Sequence, residues 1–159
     1  MNTQIITPAA TVLIIRDSNK GIEVFMVERS NRPPFGDLFV FPGGKIDQSD
    51  NDPRAQSLCK SISDKEASLL LGIEENGLGY WVACVRECFE EVGVLLTSSN
   101  DPIIQNIEKL NNLRNKLNNK EISFKDICIF ESLNLRTKNI VPCAHWITPT
   151  IEPKRFDTR

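Results

Sequence analysis

Gly79-Tyr80-Trp81-Val82-Ala83-Cys84-Val85-Arg86-Glu87-Cys88-Phe89-Glu90-Glu91-Val92-Gly93-Val94-Leu95-Leu96 is the stretch whose reading decides the fold of this chain. Wound as a helix at about 100° per residue, it divides into two faces. Trp81, Val82, Cys84, Val85, Cys88, Phe89 and Val92 take one side, the pattern of an amphipathic helix laid on a core. Arg86, Glu87, Glu90 and Glu91 fall within an arc of roughly 140° on the other. Gly93 follows the last turn, where a left-handed residue closes a helix. Glu87, Glu90 and Glu91 stand at i, i+3 and i+4, so their like charges oppose one another by roughly 0.2–0.5 kcal/mol per pair. A solvated acidic stripe is one reading of that spacing. Convergence on Mg²⁺ or Mn²⁺ is the other, because carboxylate oxygens are the hard donors these ions take.

Upstream, Phe41-Pro42-Gly43-Gly44-Lys45-Ile46-Asp47 reads as a strand end running into a glycine-rich turn. Together the two stretches resemble the Nudix box, the signature of hydrolases that cleave nucleoside diphosphates linked to another group. That pattern is Gly, five residues, Glu, seven residues, then Arg-Glu-U-x-Glu-Glu-x-Gly-U, with U aliphatic. Its second half is matched from Arg86 to Val94, with Cys88 at an aliphatic position that a small buried thiol can fill. The first half departs: five residues after Gly44 stands Asp50, and 35 residues rather than seven separate it from Arg86. A box split in this way resembles the coenzyme A diphosphatase-like branch. His145-Trp146-Ile147-Thr148-Pro149 and Arg155-Phe156-Asp157-Thr158-Arg159 also resemble that branch.

The resemblance implies an α/β/α sandwich with a mixed sheet. It implies metal-dependent hydrolysis of a diphosphate bond in a nucleoside diphosphate derivative. Coenzyme A or an acyl-CoA is the leading substrate; a nucleotide sugar or dinucleotide is the alternative. Glu87, Glu90, Glu91 and the Gly43 carbonyl would hold Mg²⁺ or Mn²⁺, and Arg86 would orient a box carboxylate without touching substrate. The base would be a metal-coordinating Glu or a carboxylate elsewhere. Asp is one methylene shorter than Glu, so Asp50 or Asp47 is expected to support Arg86 from a shifted backbone. Arg29, Gly43 and Gly44 are the candidate substrate contacts. Arg29-Ser30 stands where coenzyme A-cleaving members carry an Arg-Ser/Ala pair, although Pro34 replaces a further Arg and Gly36 is out of register. A guanidinium can hold a phosphate through paired hydrogen bonds; Arg29 and Arg32 as loop cations in water is the plainer reading. A Nudix-fold binding or regulatory module that does not hydrolyse is the reading from another class. Retention of all three acids argues against it, and Asp50 with the insertion argues for it.

The rest of the composition narrows the field. A chain of 159 residues with a net charge of -2 and a pI near 5.5 fits one domain and has no general drive toward nucleic acid or anionic membrane. Five cysteines without CxxC spacing make no disulfide framework, and the lone His145 leaves no zinc set. Reduced thiols in a cytoplasmic setting are the expectation. No apolar stretch approaches the 18 residues of a membrane span. The expected partner is a small molecule, with a homodimer as the second partner class to test.

Taken in order, Ala9–Arg16 is expected to be a strand buried on both faces, Asp17–Gly21 a turn, and Ile22–Glu28 a second strand. Leu38–Phe41 is a short strand delivering the glycine turn. Residues 48–78 form the insertion: Pro53 opens a helical turn, and Ser63-Asp64-Lys65-Glu66 has capping-box spacing for a helix ending at Gly72. Glu74–Gly79 reads as an exposed loop. The insertion is expected to be a helical lid near the site, or else a surface embellishment. Asp101 should cap a long helix carrying Ile104, Ile107, Leu110, Leu113 and Leu117, with polar basic and amide residues between them. Ser123 caps a turn before a strand over Ile127–Leu135, and Ala144–Thr148 is another strand. Lys154–Arg159 reads as the approach to a strand with no turn signal after it, and the expectation is a chain missing C-terminal elements of the sheet.

Overall fold

The structure, a computed structural model, describes residues 5–28, 38–98 and 100–159. Its strands are Ile6–Thr11 (β1), Ile14–Ser18 (β2), Gly21–Phe25 (β3), Val27–Glu28 (β4), Phe39–Val40 (β5), Gly43–Lys45 (β6), Trp146–Ile147 (β7) and Arg155–Thr158 (β8). Its helices are Pro53–Gln56 (α1), Asp64–Leu71 (α2), Leu78–Val92 (α3), Ile107–Asn118 (α4) and Phe124–Phe130 (α5). The main sheet has the order β6-β1-β8-β7. β1 runs parallel to β8 and antiparallel to β6, and β7 is antiparallel to β8, so the sheet is mixed as expected. The class is α/β, with helices packed on a mixed sheet.

α3 is the hub. Its apolar face supplies Val82, Val85, Cys88 and Phe89 to the core, joined by Ile127, Cys128 and Leu133. Phe89 meets Phe124 with ring centroids 6.4 Å apart and planes tilted by 48°, within the favourable range for aromatic pairs. The Trp81 indole N–H donates to the Ile140 carbonyl at 3.0 Å. Gly93 adopts φ 73°, and its N–H and that of Val94 return to Phe89 and Cys88, the left-handed closure the sequence signals.

The insertion packs into the core and is not a mere surface embellishment. Ala55, Cys59 and Ala67 are buried within the same core as α3, and α1 and α2 pack against that helix. Its local signals hold: Ser63 and Glu66 form the capping box of α2, and Gly72 ends it. Lys125 on α5 reaches Asp52, the cap of α1, at 2.9 Å. The exposed turn is confined to residues 74–76, because Gly77, Leu78 and Gly79 are buried.

Elsewhere tertiary context overrides local pattern. The first expected strand is broken at Val12-Leu13, and β2 pairs with β3 as a separate two-stranded unit whose apolar residues are largely exposed. The second breaks at Met26, after which β4 pairs with β5. Gly43-Gly44 is extended strand opposite Thr11 and Ala10, not a turn. Asp101 caps only a 3-10 turn over Pro102–Gln105; its carboxylate takes the Thr97 hydroxyl and the Asn134 N–H, and Asn106 caps α4. Ser123 starts α5, so the expected strand over Ile127–Leu135 begins as helix to Phe130, continues as a turn, and pairs only at Leu135 in an isolated bridge with Thr97. Phe124, Ile127 and Cys128 are buried at helical spacing, a period that a short apolar run does not declare by itself.

Candidate functional site

Two backbone segments converge on the C-terminal half of α3. β6 crosses above it, held by its register with β1. A Cβ on Gly44 would stand 2.4 Å from Glu87 Oε1, so the strand can lie on that carboxylate only with glycine there. The Gly43 N–H donates to Glu91 Oε2 at 3.0 Å. The second segment is a 3-10 turn over Gln48–Asn51. It turns Asp50 inward, with the Asp47 N–H donating to Asp50 Oδ2 at 2.8 Å and the Asp50 N–H to the Asp47 carbonyl.

Arg86 lies at the centre, 4% exposed. Its Nε and Nη2 donate to the two oxygens of Asp50, each at 2.9 Å. Nη1 donates to Glu87 Oε1 at 2.8 Å and to Glu90 Oε2 at 3.0 Å, and Nη2 also reaches the Lys45 carbonyl at 2.8 Å. Those contacts use all five N–H donors of a guanidinium. Asp47 stands farther off, 3.9 Å from Nη1. The backbone turn thus compensates for the short side chain, and Asp50 is the acid that supports Arg86. No donor of Arg86 is left over for a substrate.

Burial pushes the carboxyl groups of Asp50, Glu87 and Glu90 above the usual carboxylate range, with Arg86 opposing the shift. For Glu87 the neighbouring Glu90 and Glu91 add to it; for Glu90, Asp47 and Asp50 do. Burial disfavours the Arg86 cation, but the hydrogen bonds and charges of Asp50, Glu87 and Glu90 outweigh it and hold the group firmly protonated. One buried cation therefore faces a surplus of carboxylates.

Among the described residues, no group of three or more His, Cys, Asp or Glu side chains stands ready as a metal cage. Glu87 and Glu90 are turned onto Arg86, and Glu91 onto the Gly43 amide. The donor set nevertheless fits a hard divalent cation in its chemistry: carboxylates of one helix face, surplus negative charge, and a glycine strand whose backbone lies directly against the Glu87 carboxylate. Arg29, with Ser30, Arg32, Pro34 and Gly36, lies outside the described residues.

Two residues at this end of α3 are not legible in the sequence. Arg114 and Asn118, from the polar side of α4, hydrogen-bond the carbonyls of Glu90 and Glu91. Their partners are 23 to 28 residues away, and only the packing of α4 on α3 reveals them. A separate, mostly apolar cavity of about 510 Å³ lies against Trp81, Cys84, Val12, Leu13 and Ile140. None of the box acids or glycines lines it.

With this geometry in hand, the backbone is similar to a solved structure, the "Crystal structure of NUDIX hydrolase from Alicyclobacillus acidocaldarius", with a TM-score of 0.65. The match covers 99% of this chain and 68% of that one at 24% sequence identity, a likeness of fold. No family model and no curated protein matches the chain.

Proposed function

We propose that this chain is a Nudix-type hydrolase that cleaves a diphosphate bond in a nucleoside diphosphate derivative, with coenzyme A or an acyl-CoA as the leading substrate. The observation that carries the reading is the Arg86 cluster. Asp50 takes two donors of the guanidinium, which in turn holds Glu87 and Glu90 beside the Gly43-Gly44 strand. Likeness of fold to a NUDIX hydrolase supports it.

Glu87, Glu90 and Glu91, with the Gly43 carbonyl, are the residues that would hold Mg²⁺ or Mn²⁺. Such an ion, when bound, neutralises phosphate charge and makes water a better nucleophile. Arg86 fixes the rotamers of Glu87 and Glu90 and takes no part in substrate contact. Gly43 and Gly44 are the candidate backbone contacts to substrate, and Arg29 is the candidate for pairing with a phosphate. Asp50, the departure that favours a non-hydrolysing module, pairs with Arg86 at 2.9 Å and so weighs less for that alternative. Five unpaired thiols suit a reducing, cytoplasm-like setting, and among the described residues no helix is long and apolar enough to cross a membrane.

The test is incubation with coenzyme A, acyl-CoA, nucleotide sugars and dinucleotides in Mg²⁺ or Mn²⁺, with products identified by mass spectrometry. Hydrolysis of one class, lost by about 10²-fold or more in Glu90→Gln with the fold intact by circular dichroism, is the expected result. Mn²⁺ binding without turnover of any diphosphate would establish the module instead.

A further inference from the structure

The last turn of α3 carries two of the three candidate ligands, Glu90 and Glu91, and helix ends are where backbone order is weakest. A helix leaves its final four carbonyls without intrahelical donors. Here they are those of Phe89, Glu90, Glu91 and Val92. The left-handed closure at Gly93 satisfies Phe89, through the Gly93 N–H at 3.0 Å, and reaches back to Cys88 through Val94 at 3.3 Å. It does not serve Glu90 or Glu91. Those two carbonyls are taken by side chains of another helix: Arg114 Nε donates to Glu90 O at 3.0 Å, Arg114 Nη2 to Glu91 O at 2.5 Å, and Asn118 Nδ2 to Glu90 O at 3.3 Å.

We infer that Arg114, assisted by Asn118, is a positioning residue that fixes the Glu90 and Glu91 carboxylates by clamping the carbonyls of the same two residues. The inference rests on the reading that these acids hold the metal. Three features give the clamp its effect. Arg114 and Asn118 are one turn apart on α4, so they approach α3 from one face. The planar guanidinium spans two successive carbonyls, which the point charge of a lysine cannot do. A cation at a helix C-terminus is also favoured by the helix dipole. The clamp lies beside the closing turn: a Cβ on Gly93 would stand at ordinary contact distance, 3.5 Å, from Arg114 Nη1. The polar residues of α4 thus do more than face solvent, because they hold the end of the helix that bears the acids.

The experiment measures Mn²⁺ affinity by electron paramagnetic resonance, without substrate, in the wild-type chain and in Arg114→Met, Arg114→Lys and Asn118→Ala. Thermal melts run in parallel. The expected result is Mn²⁺ affinity weakened by about 10- to 100-fold in Arg114→Met, the range for residues that orient ligands, with a smaller loss in Asn118→Ala. Arg114→Lys should recover only part of the affinity while melting like the wild type. If Arg114→Met does not fold, Arg114→Lys carries the same test. Wild-type affinity in a folded Arg114 variant overturns the clamp alone, since a merely structural role leaves Mn²⁺ binding untouched. No Mn²⁺ binding by the wild-type chain overturns both the clamp and the metal-site reading beneath it.

Discussion

At the acidic end of α3, Arg86 is 4% exposed and its partner Asp50 1% exposed, while on the β2–β3 hairpin Ile15 and Ile22 stand 62% and 71% exposed. Charge is inside and aliphatic surface outside. In the first region each donor of the buried cation finds an oxygen, which is the condition under which buried charge is tolerated. In the second, β2 pairs among the described residues with β3 alone, and most side chains of that two-stranded ribbon are left exposed. The comparison teaches that burial follows from which neighbours are present and how well they pair, with residue type only a first guide.

The sharpest way to break it is Arg86→Met. Removing the cation leaves Asp50 and Glu87 buried without their partner, a loss of about 3–5 kcal/mol by the usual cost of breaking a buried pair. Urea denaturation measures it, and adding Asp50→Asn to complete the cycle should return part of the loss. A loss below about 1 kcal/mol would place the cluster among solvent-screened surface pairs.

A smaller effect follows from pH. Burial lifts the carboxyl groups of Asp50, Glu87 and Glu90 in the folded chain. A group with the higher pKa in the fold keeps its proton longer there, so its contribution to stability falls as pH rises through the folded value. Asp52, held low by Arg54 and Lys125, has the opposite sign, and its contribution is lost as pH falls below the usual carboxylate range. Melting temperature in metal-free buffer should therefore peak near that range and decline above it. The decline should be shallower in Glu90→Gln. A wild-type curve that climbs throughout would contradict the lifted carboxylates.

The smallest effect is expected on the hairpin. Ile22→Ser should change stability by no more than about 0.5 kcal/mol, as for exposed positions generally. A loss above about 1.5 kcal/mol in the same denaturation assay would mean that Ile22 is covered in solution.

The segments that the sequence announces correctly are those with chemistry at their ends. Gly93 closes α3, Ser63 with Glu66 opens α2, and Ser123 opens α5, each through a local hydrogen bond or backbone preference. Side-chain reach narrows the support of Arg86 to Asp50 or Asp47, and the structure selects Asp50, with Asp47 farther off. The misreadings share a cause. Thr11–Ile15 and Ile127–Leu135 are short apolar runs, and such runs do not say whether they are helix or strand, or what lies over them. Arg114 was invisible because its partners are backbone carbonyls of a distant helix, which leave no mark in the side-chain pattern.

The Asp50–Arg86 pair also closes a chain segment. Thirty-five residues lie between the two, where the resembled pattern has seven. Closing the longer segment costs about 1.4 kcal/mol more chain entropy, from (3/2)RT ln(35/7). Burial of Ala55, Cys59 and Ala67 in the shared core opposes that cost. The candidate site is thus statistically coupled to residues that never touch it. Each opening of 48–78 that carries Asp50 with it strips Arg86 of its two-point partner, so the local opening equilibrium of the insertion sets the largest fraction of molecules in which Glu87 and Glu90 are held in place.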